Sequence, residues 1–425
     1  MTMRILKYIL FLLLLLFIPT VSEAASTLQS KIDAASNGAV IEIDEGEFEE
    51  TITVSKSITL VGKGEVLLRS CEPGSVVAIT GESVTLKNIT IEHCGDQLED
   101  TVLFVSGSKH VLEELNIVTK RFGIRLDHAN DVTIQGSNIM GKKRGNGIDL
   151  WKSNRNQLNN LIISNVADGI YLEQSHENMI TNNDIQKSRY GMHLMFSNDN
   201  AISQNISTSN ITGIMLMESL RTSVTSNSFY SNSDNVNSQG LLIYSASETV
   251  VTENEFKSNR VGIFIEEADH NLIASNKIVD NFIGVQFKKA TDNHIVGNTF
   301  VGNVNDAQAI ASSNNNMEGN YWDAASKVDV NGNGTSEINF TADPYFLTLT
   351  ANVPEYQLFF QAPGLILLQN MLKSPPEQLL TDVAPAMNMT MVVEKETTSN
   401  SVLWTISGVM IVASLSLFIL GRKIR

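Results

Sequence analysis

From about residue 120 onward, apolar and polar positions alternate in short bursts, and Gly, Asn, Ser and Asp fill the gaps between bursts. Alternation with period two marks a strand with one buried face. A glycine opens one burst per cycle, at Gly123 ("GIRLD"), Gly147 ("GIDLW"), Gly169 ("GIYLE"), Gly191 ("GMHLM"), Gly213 ("GIMLM"), Gly240 ("GLLIY"), Gly262 ("GIFIE") and Gly284 ("GVQFK"). Subtracting neighbours gives spacings of 24, 22, 22, 22, 27, 22 and 22. Asparagine keeps the same beat at Asn183, Asn205, Asn227, Asn254, Asn276, Asn298 and Asn320, with spacings of 22, 22, 27, 22, 22 and 22. The lengthened cycle, around "SDNVNSQ", displaces both markers together, as a loop bulging from one coil must.

Each cycle carries about three brief strands, such as "NMITNNDI" and "NLIASNKI", with no helix-length apolar stripe between them. Leucine-rich and helical repeats are thereby excluded. So small a unit cannot bury a face alone, and units must stack. The predicted fold is all-β: a right-handed, single-stranded parallel β-helix with one unit per turn. Glycine suits a turn of positive φ or a close backbone approach. Asparagine tolerates left-handed geometry, and its amides stack into hydrogen-bonded ladders. Upstream, "STLQSKIDAAS" predicts a capping helix over Leu28–Ala35 that covers the open end of the stack.

Parity then assigns faces. If Ile124/Leu126, Ile148/Leu150, Ile170/Leu172, Met192/Leu194, Ile214/Leu216 and Ile263/Ile265 point inward, their neighbours point outward in two columns. The first column is Arg125, Asp149, Tyr171, His193, Met215, Leu242, Phe264 and Gln286; the second is Asp127, Trp151, Glu173, Met195, Met217, Tyr244, Glu266 and Lys288. Polar residues hold the ends. In the middle, Trp151, Tyr171, His193, Met195, Met215, Met217, Leu242, Tyr244 and Phe264 form a continuous stripe, the composition of a contact surface. Three occupants stay open: another part of the same chain, a partner protein, or copper held by His193 with Met195, Met215 or Met217, since imidazole and thioether suit Cu(I).

The chain ends change the cellular picture. Arg4 and Lys7 precede the apolar run "ILFLLLLLFI", and Ser22 and Ala24 follow it, the pattern of an export signal over residues 1–24. Residues 401–421, "SVLWTISGVMIVASLSLFILG", carry no charge and suffice to span a bilayer. Arg422, Lys423 and Arg425 then place the stub 422–425 in the cytoplasm. The predicted division is signal 1–24, β-helix with its cap 25–345, docking segment and methionine-containing tether 346–400, membrane helix 401–421 and stub. A net charge of −16 argues against a nucleic-acid partner and against docking on anionic lipid headgroups.

The block "IEIDEGEFEETITVSKSITLVGKGE", the rungs "RGNGIDLW", "YGMHLMFSND" and "GIMLMES", and the terminator "GNYWD" with "DVNGNG" and "DPY" resemble the NosD family over residues 26–375. The resemblance implies a periplasmic β-helix maturation protein, non-catalytic, for the copper–sulfur centre of nitrous oxide reductase in denitrification. It implies partners too: an ABC transporter permease with its ATPase, a copper chaperone and the reductase. A C-terminal anchor departs from the soluble form of the family. The alternative is a β-helix polysaccharide lyase, hydrolase or epimerase, or a carbohydrate-binding surface protein, such as an adhesin. Such an enzyme needs acids and bases converging on one groove, and Asp127, Asp149, Glu173 and Glu266 read as dispersed.

Three smaller motifs remain. Asp329, Asn331 and Asn333 alternate before Gly334 like the first half of a calcium loop, but Phe340 stands at the twelfth position, leaving a truncated loop aided by Glu337 or a plain turn. Met387, Met389 and Met391 alternate ahead of the span, as a soft copper relay or as an ordinary tether. Cys71 and Cys94, one rung apart, fit a structural disulfide or, with His93, a copper site.

Overall fold

The computed structural model describes residues 27–343 and 379–389, with isolated positions between them. The predicted signal 1–24, the membrane span 401–421 and Met391 lie outside the described residues. Among the described residues no helix is long and apolar enough to cross a membrane. The chain divides into two units, Met1–Asn388 and Met389–Arg425, and only Met389 of the second is described.

The first unit is a right-handed parallel β-solenoid of about 13 turns. Its strands fall into three sheets: A with 15 strands, B with 13 and C with 12, each pairing with every third strand in sequence. One turn shows the plan: Asp168–Glu173 in sheet C, Met179–Thr181 in sheet A, Asp184–Gln186 in sheet B, then Tyr190–Met195 back in sheet C. All pairs are parallel except the last, Phe340–Ala342 against Leu380–Asp382. Most strands turn one to three apolar residues inward, while Ile206–Thr208 buries Ser207 instead. Ile170, Leu172, Ile180 and Ile185 are fully buried and stack beneath Met192, Leu194, Ile202 and Ser207 of the next turn. Each such side chain contributes roughly 1.5–3 kcal/mol through burial.

The repeating glycine serves close approach rather than positive φ. A Cβ on Gly191 would lie 2.4 Å from the carbonyl oxygen of Gly213 and 2.1 Å from Ser207 Oγ; on Gly169 it would lie 2.4 Å from the oxygen of Gly191. Left-handed backbone falls instead on the corners, at Gln174, Glu177, Asn182 and Lys187 in one turn and at Phe196, Asp199, Gln204 and Ser209 in the next. Such a conformation costs about 1–2 kcal/mol per non-glycine residue. Stacking offsets it: the corner N–H groups of Gln174, Glu177 and Asn182 donate to Met195, Asn198 and Ser203 one turn on, at 3.1, 3.2 and 3.2 Å.

Three asparagine ladders run inside the corners. The predicted one extends from Asn183 to Asn320. At its second rung, Asn205 Oδ1 accepts from Asn183 N and Nδ2 at 3.0 and 2.9 Å, while its Nδ2 donates to Ile180 O and Asn227 Oδ1 at 2.8 and 2.9 Å. A second passes through Asn156, Asn178 and Asn200 and resumes at Asn271 and Asn293. A third joins Asn210, Asn232, Asn259, Asn281 and Asn303.

Both ends are closed. Helix α1, Leu28–Ala34, is capped by Thr27, whose hydroxyl accepts from Ser30 N, and turns Leu28 and Ile32 onto the first coil. At the far end Asp382 receives the last rung of the ladder, its Oδ2 accepting from Asn320 N, Asn320 Nδ2 and Trp322 Nε1 at 3.0, 2.9 and 3.0 Å. Ala386 N then donates to Asn320 O, and Met387 N to Gly334 O. The predicted domain boundary at 345 therefore needs correction: residues 380–387, assigned to a tether, complete the β-solenoid, because a buried ladder must end on an acceptor.

Candidate functional site

The outer face of sheet C carries both predicted columns in register. Arg125, Asp149, Tyr171, His193, Met215, Leu242, Phe264 and Gln286 are successive partners, as are Asp127, Trp151, Glu173, Met195, Met217, Tyr244, Glu266 and Lys288. The columns differ in depth. Asp149, His193 and Met215 are only 7, 9 and 8 % exposed, whereas Trp151, Met195, Met217 and Tyr244 are half-buried. Met215 and His193 are thus floor, and the second column, with Phe264 beside it, is what an arriving molecule meets first.

His193 is the most constrained group on that floor. Its Nδ1 stands 3.0 Å from Asp168 Oδ2. The Asp168 carboxylate, 1 % exposed, also accepts two hydrogen bonds from Arg189, Nε and Nη2, both at 2.9 Å. Tyr171 and Tyr190 hold the ring from either side, at centroid distances of 5.0 and 4.8 Å. The carboxylate can only accept, so the Nδ1 proton points to Asp168 and Nε2 is the nitrogen turned toward any ligand. That nitrogen is buried and has no hydrogen-bond partner among the described residues. The register partner of His193 is Met215, while Met195 and Met217 pair with each other two residues along, in the outer column; Tyr171 Oη lies 3.9 Å from Met195 Sδ. An imidazole nitrogen on a face that also carries three thioethers offers donors of the soft kind that suit monovalent copper. Among the described residues no three His, Cys, Asp or Glu side chains form a metal-holding group.

Asp168, Arg189 and Tyr190 escaped sequence reasoning because parity was counted forward from the glycine. Asp168 and Tyr190 immediately precede Gly169 and Gly191 and pair with each other across the turn, so a third column one residue before the glycine was there to be found.

The acids also need correction. Asp127, Asp149 and Glu173 do not stand dispersed; with Arg125, Trp151 and Tyr171 they line one groove of about 530 Å3. Residues 22 or 24 apart become neighbours when each turn consumes that many. Burial pushes the Asp149 carboxyl up to about 6, against the pull of Arg125, whose Nε lies 3.7 Å away. Burial, then the 2.8 Å hydrogen bond to Glu173, pushes the Tyr171 phenol far above its ordinary range. Glu266 sits elsewhere, paired with Lys288 at 2.6 Å.

The remaining motifs lie apart. Cys71 and Cys94 form a disulfide with Cα atoms 4.6 Å apart. His93 turns inward, 2 % exposed, its Nδ1 accepting from Gly95 N at 3.0 Å and its Nε2 3.8 Å from Asp100. In the loop at Asp329 the oxygens are turned onto the loop's own N–H groups. Asp329 accepts from Gly332 N and Gly334 N at 2.6 and 2.9 Å, Asn331 from Asn333 N, and Asn333 from Thr335 N. This is a closed turn, with the Gly334 N–H holding the Asp329 carboxyl below the usual range. Met387 is half-buried against that loop and Met389 exposed.

A family model described as NosD, periplasmic copper-binding protein, matches residues 130–345, half of the chain. Comparison with curated protein sequences finds no match. Among solved structures, the A-module of mannuronan C-5 epimerase AlgE6 from Azotobacter vinelandii is similar at 16 % identity and TM-score 0.52, covering 69 % of this chain and 88 % of that one. The family 28 exopolygalacturonase of Yersinia enterocolitica gives 10 % identity and TM-score 0.52, with 68 and 74 % covered. The pre-mature gene product 12 of bacteriophage phi29 gives 10 % identity and TM-score 0.56, with 66 and 48 % covered. At these identities the likeness is one of fold alone.

Proposed function

The chain belongs to the NosD family of periplasmic copper-binding proteins, and from that premise we propose that it is an extracytoplasmic, non-catalytic accessory protein that hands copper onward from the outer face of sheet C. Copper is cargo here rather than a resident cofactor. The observation that carries this role is His193: Nδ1 held by Asp168, Nε2 buried without a partner among the described residues, Met215 its register partner and the Met195–Met217 pair in the next column. Thioether and imidazole ligands favour the monovalent ion. Few donors of modest strength suit a carrier that must release what it holds.

The resemblance to NosD proteins supplies the destination, the copper–sulfur centre of nitrous oxide reductase. A copper chaperone, the reductase and an ABC transporter permease with its ATPase are the proposed partners, and Trp151, Met195, Met217, Tyr244 and Phe264 are the proposed contact surface. Their aromatic and thioether groups are of the kind enriched in interface cores. Export through residues 1–24 and retention at the membrane by residues 401–421 belong to the same proposal.

The test is genetic and biochemical. A strain lacking this gene should accumulate reductase without its copper–sulfur centre, and the triple variant His193→Asn, Met195→Ser, Met217→Ser should fail to restore it while accumulating as a folded protein. Fully assembled, active reductase in the deletion strain would overturn the proposal.

A further inference from the structure

We infer that the groove over Trp151, Tyr171, Asp127, Asp149 and Glu173 is a second binding site, built for a neutral or amine-bearing oligosaccharide. This site lies beyond the copper role and borders the copper face through Trp151 and Tyr171.

The groove is lined from four successive strands of sheet C, Thr101–Ser108, Phe122–Asn130, Ile148–Trp151 and Asp168–Glu173. Four strands at about 4.8 Å spacing extend it roughly 14 Å, so it suits an elongated ligand rather than a point-like one. Ligand classes fare differently in it. A metal ion needs converging donors, and no such group of His, Cys, Asp and Glu exists among the described residues. An anion would meet three carboxylates against one guanidinium, and that guanidinium, Arg125, is already engaged by Glu99 at 2.9 Å and Asp149 at 3.7 Å. A wholly apolar ligand would desolvate Asp149 and Glu173 and return no hydrogen bond.

A saccharide offers both kinds of contact that the groove presents. Its C–H faces lie on aromatic rings, here the half-buried Trp151 and Tyr171. Its hydroxyls donate to carboxylates, and bonds to a charged acceptor are the stronger kind. Tyr171 is held in place by its hydroxyl, which donates to Glu173 Oε2 at 2.8 Å, so its ring is a preformed wall. The surplus of carboxylates over Arg125 adds a preference for sugars bearing an amino group.

Titration calorimetry on the full chain, with glucosamine oligomers, N-acetylglucosamine oligomers and oligogalacturonate as probes, tests this. Saturable binding is expected for the first two, tightest for the glucosamine oligomers, and none for the uronate. Trp151→Ala should weaken binding roughly tenfold or more, and Asp127→Asn should weaken the glucosamine oligomers more than the N-acetylated ones. Thermal melts of both variants, and Cu(I) titration of Asp127→Asn, should match the parent, which separates this site from the copper role. Absence of saturable oligosaccharide binding, equal binding of oligogalacturonate, unchanged affinity in Trp151→Ala, or binding of an arginine-rich peptide in place of any sugar would overturn the inference.

Discussion

On sheet A the outward residues of three successive turns are Met179 and Thr181, Ala201 and Ser203, Ser223 and Thr225. On sheet C the same turns show Tyr171 and Glu173, His193 and Met195, Met215 and Met217. Inside, the two sheets are alike: Ile180, Ile202 and Val224 stack on one side, Leu172, Leu194 and Leu216 on the other, all essentially inaccessible. The interior needs only apolar volume and stacked amides, so every turn meets the same demand. The outer face carries no such demand, and sheet A fills it with small polar residues and scattered apolar ones such as Met179. Sheet C instead gathers ionisable, aromatic and thioether groups, several of them buried, which costs stability unless the groups do something else.

The interior is where substitution should cost most. Gly191→Val places side-chain atoms against the Gly213 carbonyl and Ser207 hydroxyl, and Asn205→Ala strips two buried donors on Asn183 of their acceptor. Each orphaned donor costs about 1–3 kcal/mol, so the Asn205→Ala melt should fall by several degrees at least and the Gly191→Val protein should fail to accumulate. Next in size is the disulfide. Reduction of Cys71–Cys94, which spans 23 residues, should remove roughly 2–4 kcal/mol from the N-terminal turns, read as hydrogen exchange over residues 70–95.

The outer face of sheet C should respond in the opposite sense. An aspartyl carboxyl with an unperturbed value of 3.8 that is pushed to about 6 by burial favours the fold most below pH 3.8. That contribution is lost as pH rises to 6, because the unfolded chain gives up its proton first. Asp149→Asn should therefore raise stability at pH 7, on the order of 2 kcal/mol, and flatten the pH dependence between 3.8 and 6; a lower melt at pH 7 would count against a destabilised functional carboxylate. Thr225→Ala on sheet A should do least, within about 0.5 kcal/mol.

Glycine and asparagine spacings, read with alternation, were enough to place both outer columns of sheet C, because a fixed turn length converts sequence distance into adjacency. What they did not convey was depth. His193 and Met215 face outward yet are covered, since side chains on rungs about 4.8 Å apart shield one another. The Asp127, Asp149 and Glu173 groove was in those same columns and was missed as a cluster by judging the acids along the chain instead of across it. Asp168 opens its strand one residue before the glycine, and Arg189 sits in the bend before the next strand, so parity counted forward from the glycine reaches neither. The second and third asparagine ladders were hidden by Thr222 and Thr249 in one and by Ser188 ahead of Asn210 in the other. Met391 and the span 401–421 lie outside the described residues.

The central claim, that the outer face of sheet C is a copper-carrying surface centred on His193, is tested most directly by competitive Cu(I) titration of the parent chain against the His193→Asn, Met195→Ser, Met217→Ser variant, with absorption spectroscopy at the copper edge. The parent should bind one Cu(I) with sulfur and nitrogen scatterers, and the variant should lose that site while keeping its melting temperature within a few degrees. Equal Cu(I) binding by the two proteins, or no binding by the parent, would contradict it.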